Sequence, residues 1–230
     1  VGEWMGIYLN PGSAMFQKSL KSKIYVDKSG LLAILNELVD TEQRYVCVSR
    51  PRRFGKSMAA NMLAAYYGSS EDTSALFASL EISQCAGYRD HLNQYDVLKI
   101  NMQDFLSESQ SIEDMLAHLT ACLIRDLKNG FPQIDFSYAK SLVSVMREVF
   151  AQTGRSFVIL IDEWDCLFRE YESNKEAQKQ YLDFLRVWLK DKEYVGLAYM
   201  TGILPIKKYG SHSALNMFTE YSMTNPREMA

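Results

Sequence analysis

The chain has 230 residues, 47% hydrophobic and 23% charged, with a net charge of −3. This composition predicts a globular protein with a sizeable core, and it argues against a surface that coats nucleic acid generally, although a local basic patch stays open. Four cysteines and three histidines are scattered without a C-x-x-C pair, which favours reduced thiols in the cytoplasm over disulfides or zinc. No run has the length of a membrane span, and no signal-peptide pattern begins the sequence.

Helices and strands alternate along the chain. Apolar runs predict strands at 45–49, 96–101, 157–161, 194–200 and 218–223. Amphipathic or helix-favouring runs predict helices at 11–20, 29–38, 57–67, 111–128, 138–151 and 174–190. The second of these helices is expected to be capped by Asp27 or Ser29. This alternation predicts an α/β fold with a mostly parallel sheet covered by helices on both faces.

The clearest motif is a phosphate-binding loop after the first predicted strand. Residues 50–54, Arg-Pro-Arg-Arg-Phe, lead into Gly55-Lys56-Ser57 and a helix-forming run. In such a loop backbone N–H groups cradle phosphate oxygens, the lysine reaches the β- and γ-phosphates, and the serine ligates Mg²⁺. Arg50 stands where the general pattern G-x-x-x-x-G-K-[ST] has glycine, and Pro51 has no N–H. The loop is therefore expected to begin differently from the usual one.

A second motif ends the predicted strand at 157–161, where the apolar run is followed by Asp162-Glu163. Asp162 suits the Mg²⁺ shell through a water, and Glu163 can orient and deprotonate an attacking water. Thr201 follows the strand at 194–200, so its hydroxyl is predicted to sense the γ-phosphate or hold that water; an ordinary strand-ending threonine explains it equally well. Asp165 is either a partner for a lysine or Mg²⁺, or a helix cap.

The spacing of the two motifs selects a class of P-loop protein. The apolar run at 96–101 lies between Lys56 and Asp162, so a strand can be inserted between the two motif strands. That insertion, with Glu163 beside Asp162, fits the class with a catalytic glutamate (ASCE). We therefore predict a three-layer P-loop fold with a five-stranded sheet in the order 5-1-4-3-2.

Three segments, Ile24–Gly30, Cys47–Ser57 and Ile161–Asp165, resemble the bacterial AAA-ATPase-like family. The Arg-Pro-Arg-Arg-Phe start of the loop is that family's own form. The resemblance implies ATP as the nucleotide and places the segment containing Tyr25 and Asp27 near the adenine. It also implies that a helical or winged-helix region and a PD-(D/E)XK nuclease-like domain follow the ATPase core.

These observations give a defined set of expectations. Residues 1–40 are expected to flank the nucleotide site, and residues 41–230 to form the ATPase core, truncated before a C-terminal lid and effector domain. The predicted catalytic residues are Glu163, Lys56 and Thr201, and the predicted Mg²⁺ ligands are Ser57 and Asp162. The predicted nucleotide contacts are Tyr25, Asp27, Arg52, Arg53, Phe54, Gly55, Lys56, Ser57 and Met58.

The sequence leaves the output of this site open. One interpretation is slow ATP hydrolysis that regulates an attached nuclease-like domain. A longer chain, in which a lid supplies an arginine finger, is then expected to hydrolyse ATP at least about tenfold faster. The alternatives are a nucleotide-binding switch with little turnover and a nucleic-acid-binding module that uses the basic patch at 50–53. The expected partners are ATP or ADP, DNA or RNA bound through the C-terminal effector domain, and a second copy of the chain.

Overall fold

The computed structural model describes residues 5–49, 56–209 and 214–222. Its strands are β1 (Tyr45–Ser49), β2 (Asp96–Asn101), β3 (Phe157–Asp162), β4 (Val195–Gly202) and β5 (Thr219–Ser222). They form one sheet in the order β2-β3-β4-β1-β5, and every pairing is parallel. Read from the other edge, this is the predicted order 5-1-4-3-2, so the topology is confirmed.

Six longer helices correspond to the predicted ones. They are α1 (Ala14–Leu20), α2 (Gly30–Leu38), α3 (Lys56–Tyr67), α7 (Ile112–Gly130), α8 (Leu142–Thr153) and α10 (Lys175–Leu189). Short helices that the sequence did not predict lie between them. They are α4 (Ser74–Phe77), a 3-10 turn (Glu81–Gln84), α5 (Tyr88–His91), α6 (Met102–Ser107), α9 (Cys166–Glu170) and α11 (Ile206–Tyr209). Two of these, α6 and α9, follow β2 and β3 and shape the edge of the sheet described below.

The helix start predicted at 138 is wrong, because a capping box fixes it further along. The Ser141 hydroxyl accepts a hydrogen bond from the Ser144 amide at 3.1 Å, and the Ser144 hydroxyl accepts one from the Ser141 amide at 2.8 Å. These bonds satisfy N–H groups that the first turn leaves without helical partners. The chain therefore enters α8 at Leu142.

Of the two predicted caps of α2, Ser29 is the residue at the N-cap position. Ser29 precedes the helix, but its side chain makes no capping hydrogen bond. Its hydroxyl instead accepts from the Ile82 amide at 3.1 Å. The Asp27 carboxylate accepts from the amides of Ser29 and Glu81, each at 2.8 Å. Both side chains thus tie the chain before α2 to the 3-10 turn, and Asp27 adds a local contact with the Ser29 amide.

Apolar side chains fill both faces of the sheet, as alternation along parallel strands requires. Val48 and Leu160 belong to the core beneath α2 and α3. Cys47 and Ile161, their neighbours in sequence, belong to the core beneath α7, α8 and α10. The sheet is therefore covered on both sides, which leaves its carboxyl edge as the place where polar side chains gather.

The N-terminal segment covers the β2 edge of the sheet. The Lys99 amide donates to the Tyr8 carbonyl at 2.9 Å, and the Asn10 amide donates to the Val97 carbonyl at 2.7 Å. The buried Asp126 carboxylate accepts from the Tyr8 amide at 2.7 Å. This arrangement satisfies an edge that would otherwise expose backbone groups, and it brings Tyr8 beside β2.

Candidate functional site

The carboxyl edge of the sheet brings the two motifs together. β1 ends at Ser49 and α3 begins at Lys56. The loop between them lies outside the described residues, and so do the predicted phosphate contacts Arg52, Arg53, Phe54 and Gly55, the basic patch at 50–53 and the side chain of Lys56. The Ser49 hydroxyl donates to Glu220 Oε1 at 2.9 Å, which links the end of β1 to β5.

A cavity of about 420 Å³ opens at this edge. Its lining includes Ser57, in the first turn of α3, and Asp162, at the end of β3. These are the two predicted Mg²⁺ ligands, and the structure places both on one cavity. A hydroxyl and a carboxylate are oxygen ligands of the kind that Mg²⁺ prefers. The residues present thus fit the ion that the sequence motifs imply.

Hydrogen bonds fix one oxygen of Asp162. The Thr201 hydroxyl donates to Asp162 Oδ1 at 2.6 Å, and the Glu163 amide donates to the same oxygen at 3.0 Å. In the part of the chain that the structure describes, no donor reaches Asp162 Oδ2. Thr201 is 1% exposed, so its contact orients Asp162 from inside the protein. The predicted role of Thr201 as a γ-phosphate sensor stays a prediction.

Glu163, the predicted base, is held by an arginine. Its backbone is left-handed, with φ of 55°, a conformation that non-glycine residues seldom adopt. The carboxylate forms an ion pair with Arg169 on α9. Arg169 was not among the predicted site residues, although its spacing from Asp165, four residues along a helix, is the signal that could have found it.

Asp165 anchors the chain that follows β4. Its Oδ2 accepts hydrogen bonds from the Ile203 amide at 3.0 Å and the Leu204 amide at 2.8 Å. Arg169 Nε lies 3.4 Å from the same oxygen. A Cβ added to Gly202 would lie 2.7 Å from Asp165 Oδ1, so the close approach requires glycine. Asp165 occupies the N-cap position of α9, as the helix-cap interpretation predicted, but its side chain makes no capping bond to that helix.

Lys99 is a cation that the sequence analysis did not single out. It interrupts the buried pattern of β2 and lines the cavity with Ser57 and Asp162. Partial burial lowers the pKa of the Lys99 ammonium from its ordinary value, and the carboxylates of Asp162 and Asp104 partly offset this effect. The signal in the sequence is a lysine within an otherwise apolar strand.

Three of the predicted nucleotide contacts do not line this cavity. Tyr25 packs against the α3 side of the core, and burial raises the pKa of its hydroxyl. Asp27 makes the backbone contacts described above. Met58 follows Ser57 in α3 and is partly exposed. Of the described residues that line the cavity, none is Tyr25, Asp27 or Met58, so their roles stay predictions.

A model of a protein family described as "Predicted AAA-ATPase" matches residues 13–211. The chain belongs to this AAA-ATPase-like family. The matched range contains α3, β3 and β4, which supply Ser57, Asp162 and Thr201. The resemblance seen in the sequence is thereby confirmed, and the family's description makes the chain a predicted ATPase.

A relative of this AAA-ATPase-like chain is a protein of Azotobacter chroococcum mcd 1 described as "Uncharacterized protein in vnfD 5'region". The two are 26% identical over 204 residues, which is 86% of this chain and 37% of the relative. The chain thus spans well under half of the relative's length. Among the described helices of the AAA-ATPase-like chain, none combines the length and apolarity that crossing a bilayer requires.

Replacing Asp165 by Ala is expected to destabilise this AAA-ATPase-like fold by about 3 kcal/mol, because two amides and a partly buried guanidinium lose a buried carboxylate. Urea unfolding followed by circular dichroism measures the change. Asp183→Ala is the matched control, since Asp183 is 46% exposed in a surface ion pair and such pairs contribute about 0–1 kcal/mol. Equal losses for the two variants would contradict a structural role for Asp165.

Proposed function

We propose that this chain binds Mg²⁺–ATP and hydrolyses it, as a three-layer P-loop ATPase core of the ASCE, AAA-like class. The observation that carries the proposal is the shared cavity of Ser57 and Asp162, with Asp162 held by the Thr201 hydroxyl at 2.6 Å. A phosphate-binding sequence at the start of α3 and a carboxylate at the end of β3 are the two halves of such a site. Family membership supports the same activity.

Each residue of the site has a proposed task. Ser57 and Asp162 hold Mg²⁺, which when bound neutralises charge on the β- and γ-phosphates. Gly55 and Lys56 hold the triphosphate, with Arg52, Arg53 and Phe54 contributing from the same loop. Tyr25 and Asp27 lie near the adenine, and Met58 is a further nucleotide contact.

Glu163 is the proposed general base. Its carboxylate takes a proton from water as the water oxygen bonds to the γ-phosphorus and the bond from that phosphorus to the bridging oxygen breaks, which yields ADP and inorganic phosphate. The ion pair with Arg169 restrains the carboxylate at the edge of the sheet. Thr201 orients Asp162 through its hydroxyl. We propose that it also senses the γ-phosphate.

One observation favours the second candidate function, a nucleotide-binding switch with little turnover. Arg169 occupies one oxygen of the Glu163 carboxylate in the structure, so that oxygen accepts a proton from water only when this contact loosens or shifts. A protein that rarely releases the contact would hold nucleotide and signal its state to an effector. Retention of ADP through repeated dilution would favour the switch over the enzyme.

We also propose the setting of this core. Residues 1–40 flank the nucleotide site and residues 41–230 form the core of a cytoplasmic bacterial protein, in which a nuclease-like domain acts as the effector. Family resemblance supports this arrangement. The same proposal includes binding of DNA or RNA by that effector and self-association of the chain. As an alternative, the basic patch at 50–53 would itself bind nucleic acid.

Phosphate release from ATP by the purified chain tests the proposal. We expect phosphate release to require Mg²⁺ and to be lost when the ion is chelated. Without Mg²⁺, the Asp162 carboxylate would repel the negatively charged triphosphate. Parallel reactions with DNA and with RNA report on the effector hypothesis. Binding of ATP without any phosphate release would favour the switch, whereas absence of both binding and release would contradict the proposed function.

Thr201→Val tests how Asp162 is positioned. Valine keeps the shape of the buried side chain but removes the hydroxyl that donates to Asp162 Oδ1. Losing such an outer contact typically weakens a metal site by about 10- to 100-fold, so we expect ATP binding to require correspondingly more Mg²⁺. A magnesium titration of ATP binding measures this shift. The same midpoint in the wild type and in Thr201→Val would contradict the positioning role.

A further inference from the structure

β2 carries a cation on the face of the sheet where Asp162 lies. Lys99 pairs with Leu160 and Asn101 pairs with Asp162 across β2 and β3. Paired positions on parallel strands share a face, and positions two apart on one strand share it too. Leu160 belongs to the core beneath α3, so Lys99, Asn101 and Asp162 all lie on the side of the sheet that α3 covers.

Lys99 lines the cavity, and the carboxylates of Asp162 and Asp104 act on its ammonium electrostatically. The cavity lining includes Ser57, Asp162 and Lys99 together with the carboxylates of Asp104 and Glu108. Across residues 5–49, 56–209 and 214–222, the Lys99 ammonium makes neither a hydrogen bond nor an ion pair. Asp162 and Asp104 offset only part of the cost of burying this charge, and an anionic ligand that contacts the ammonium would offset more of it.

The order of the strands indicates which part of a ligand Lys99 would meet. β1 delivers the phosphate-binding loop, β3 delivers Asp162, and β2 lies on the far side of β3 from β1. A triphosphate whose terminal phosphate shares a Mg²⁺ ion with Ser57 and Asp162 would place that phosphate in the cavity that Lys99 also lines. There the charges of Asp104 and Glu108 oppose an anion, so a cation on that side decides whether the phosphate is accepted.

We propose that Lys99 is a second cationic contact for the terminal phosphate, through which the site distinguishes a nucleoside triphosphate from a diphosphate. This inference rests on the proposed nucleotide binding at Ser57 and Asp162, and it adds a specificity residue that neither motif contains. Lys56 serves both nucleotides through the loop, whereas Lys99 serves only the one that carries a γ-phosphate.

The test is calorimetric titration of the chain with two probes in the presence of Mg²⁺. One probe is ADP, and the other is an ATP analogue with NH in place of the β–γ bridging oxygen. Lys99→Met is expected to raise the Kd of the analogue by about 10- to 100-fold, the effect of one hydrogen bond to a charged group. The Kd of ADP is expected to change by less than about twofold, since no contact to the α- or β-phosphate is lost.

Two further variants make the result specific. Lys99→Arg keeps the charge and is expected to retain most of the preference for the analogue. Lys128→Met, at an exposed position of α7, is the matched control and should leave both Kd values unchanged. Lys99→Met should not lower the melting temperature, because methionine replaces a partly buried ammonium with an apolar group of similar length.

Three outcomes would count against the inference. If Lys99→Met leaves the Kd of the analogue unchanged, or weakens both nucleotides equally, Lys99 does not read the γ-phosphate, and the proposed function survives without it. If the wild-type chain binds neither probe, the proposed function itself fails and the inference falls with it.

Discussion

Glu163→Gln is expected to leave Mg²⁺–ATP binding intact while lowering the rate of phosphate release by about 10²- to 10⁴-fold, the contribution typical of a general base. The amide keeps the size of the side chain but does not accept the proton of the attacking water. Binding is measured by calorimetry and turnover by phosphate release.

Two comparisons make this result interpretable. Glu193→Gln changes an exposed carboxylate after α10 and should match the wild type in both measurements. Asp162→Asn is expected to differ from Glu163→Gln, because it neutralises the proposed Mg²⁺ ligand and should weaken the Mg²⁺ dependence of binding. If Glu163→Gln hydrolyses ATP normally, or if it behaves like Asp162→Asn, Glu163 is not the base.

Lys56→Ala is expected to raise the Kd for ATP by about 100-fold or more, because the ammonium that forms charge-assisted hydrogen bonds to the β- and γ-phosphates is lost. The fold should be retained, since Lys56 is the first residue of α3. The substitution leaves its backbone carbonyl free to accept a hydrogen bond from the next turn of the helix. Calorimetry measures the affinity, and circular dichroism with a thermal melt checks the fold.

The control for this variant is Lys207→Ala, which removes an exposed lysine from α11 and should leave ATP binding unchanged. Unchanged affinity in Lys56→Ala would remove the phosphate-binding role from residues 50–57. Loss of affinity accompanied by a collapsed melting temperature would instead assign Lys56 a part in holding the fold together.

The strands and their order could be predicted because buried parallel strands are nearly continuous apolar runs. Phe157–Asp162 has only one residue that is not buried, and it is the terminal carboxylate. The two motifs then fixed which strands carry the site, and the inserted strand β2 followed from the distance between them. The sequence therefore specified the sheet, its edge and the cavity residues Ser57 and Asp162.

Short helices escaped prediction because they have too few residues to show a period. Asn101 illustrates the difficulty, since it ends β2 and its side chain accepts a hydrogen bond from the Gln103 amide at 3.0 Å to begin α6. An asparagine at the end of an apolar run is equally typical of a turn and of the first residue before a helix. Only the tertiary setting of β2 shows that a helix begins there.

The contacts made by charged side chains were the part that the sequence could not supply. Arg169 pairs with Glu163 from the short helix α9 that follows β3, and Lys99 reaches the cavity because β2 pairs with β3 in one register. Both contacts join residues whose proximity depends on backbone geometry. Motif spacing identified the carboxylates but not the cations that face them.

The central claim is that Ser57 and Asp162 hold Mg²⁺ for a bound ATP. Calorimetric titration of ATP into wild-type and Asp162→Asn protein, each with Mg²⁺ and with a chelator, tests it most directly. We predict that Mg²⁺ strengthens ATP binding to the wild type and that this gain is largely lost in Asp162→Asn. Wild-type protein that binds no ATP, or binds it equally well with and without Mg²⁺, would contradict the claim.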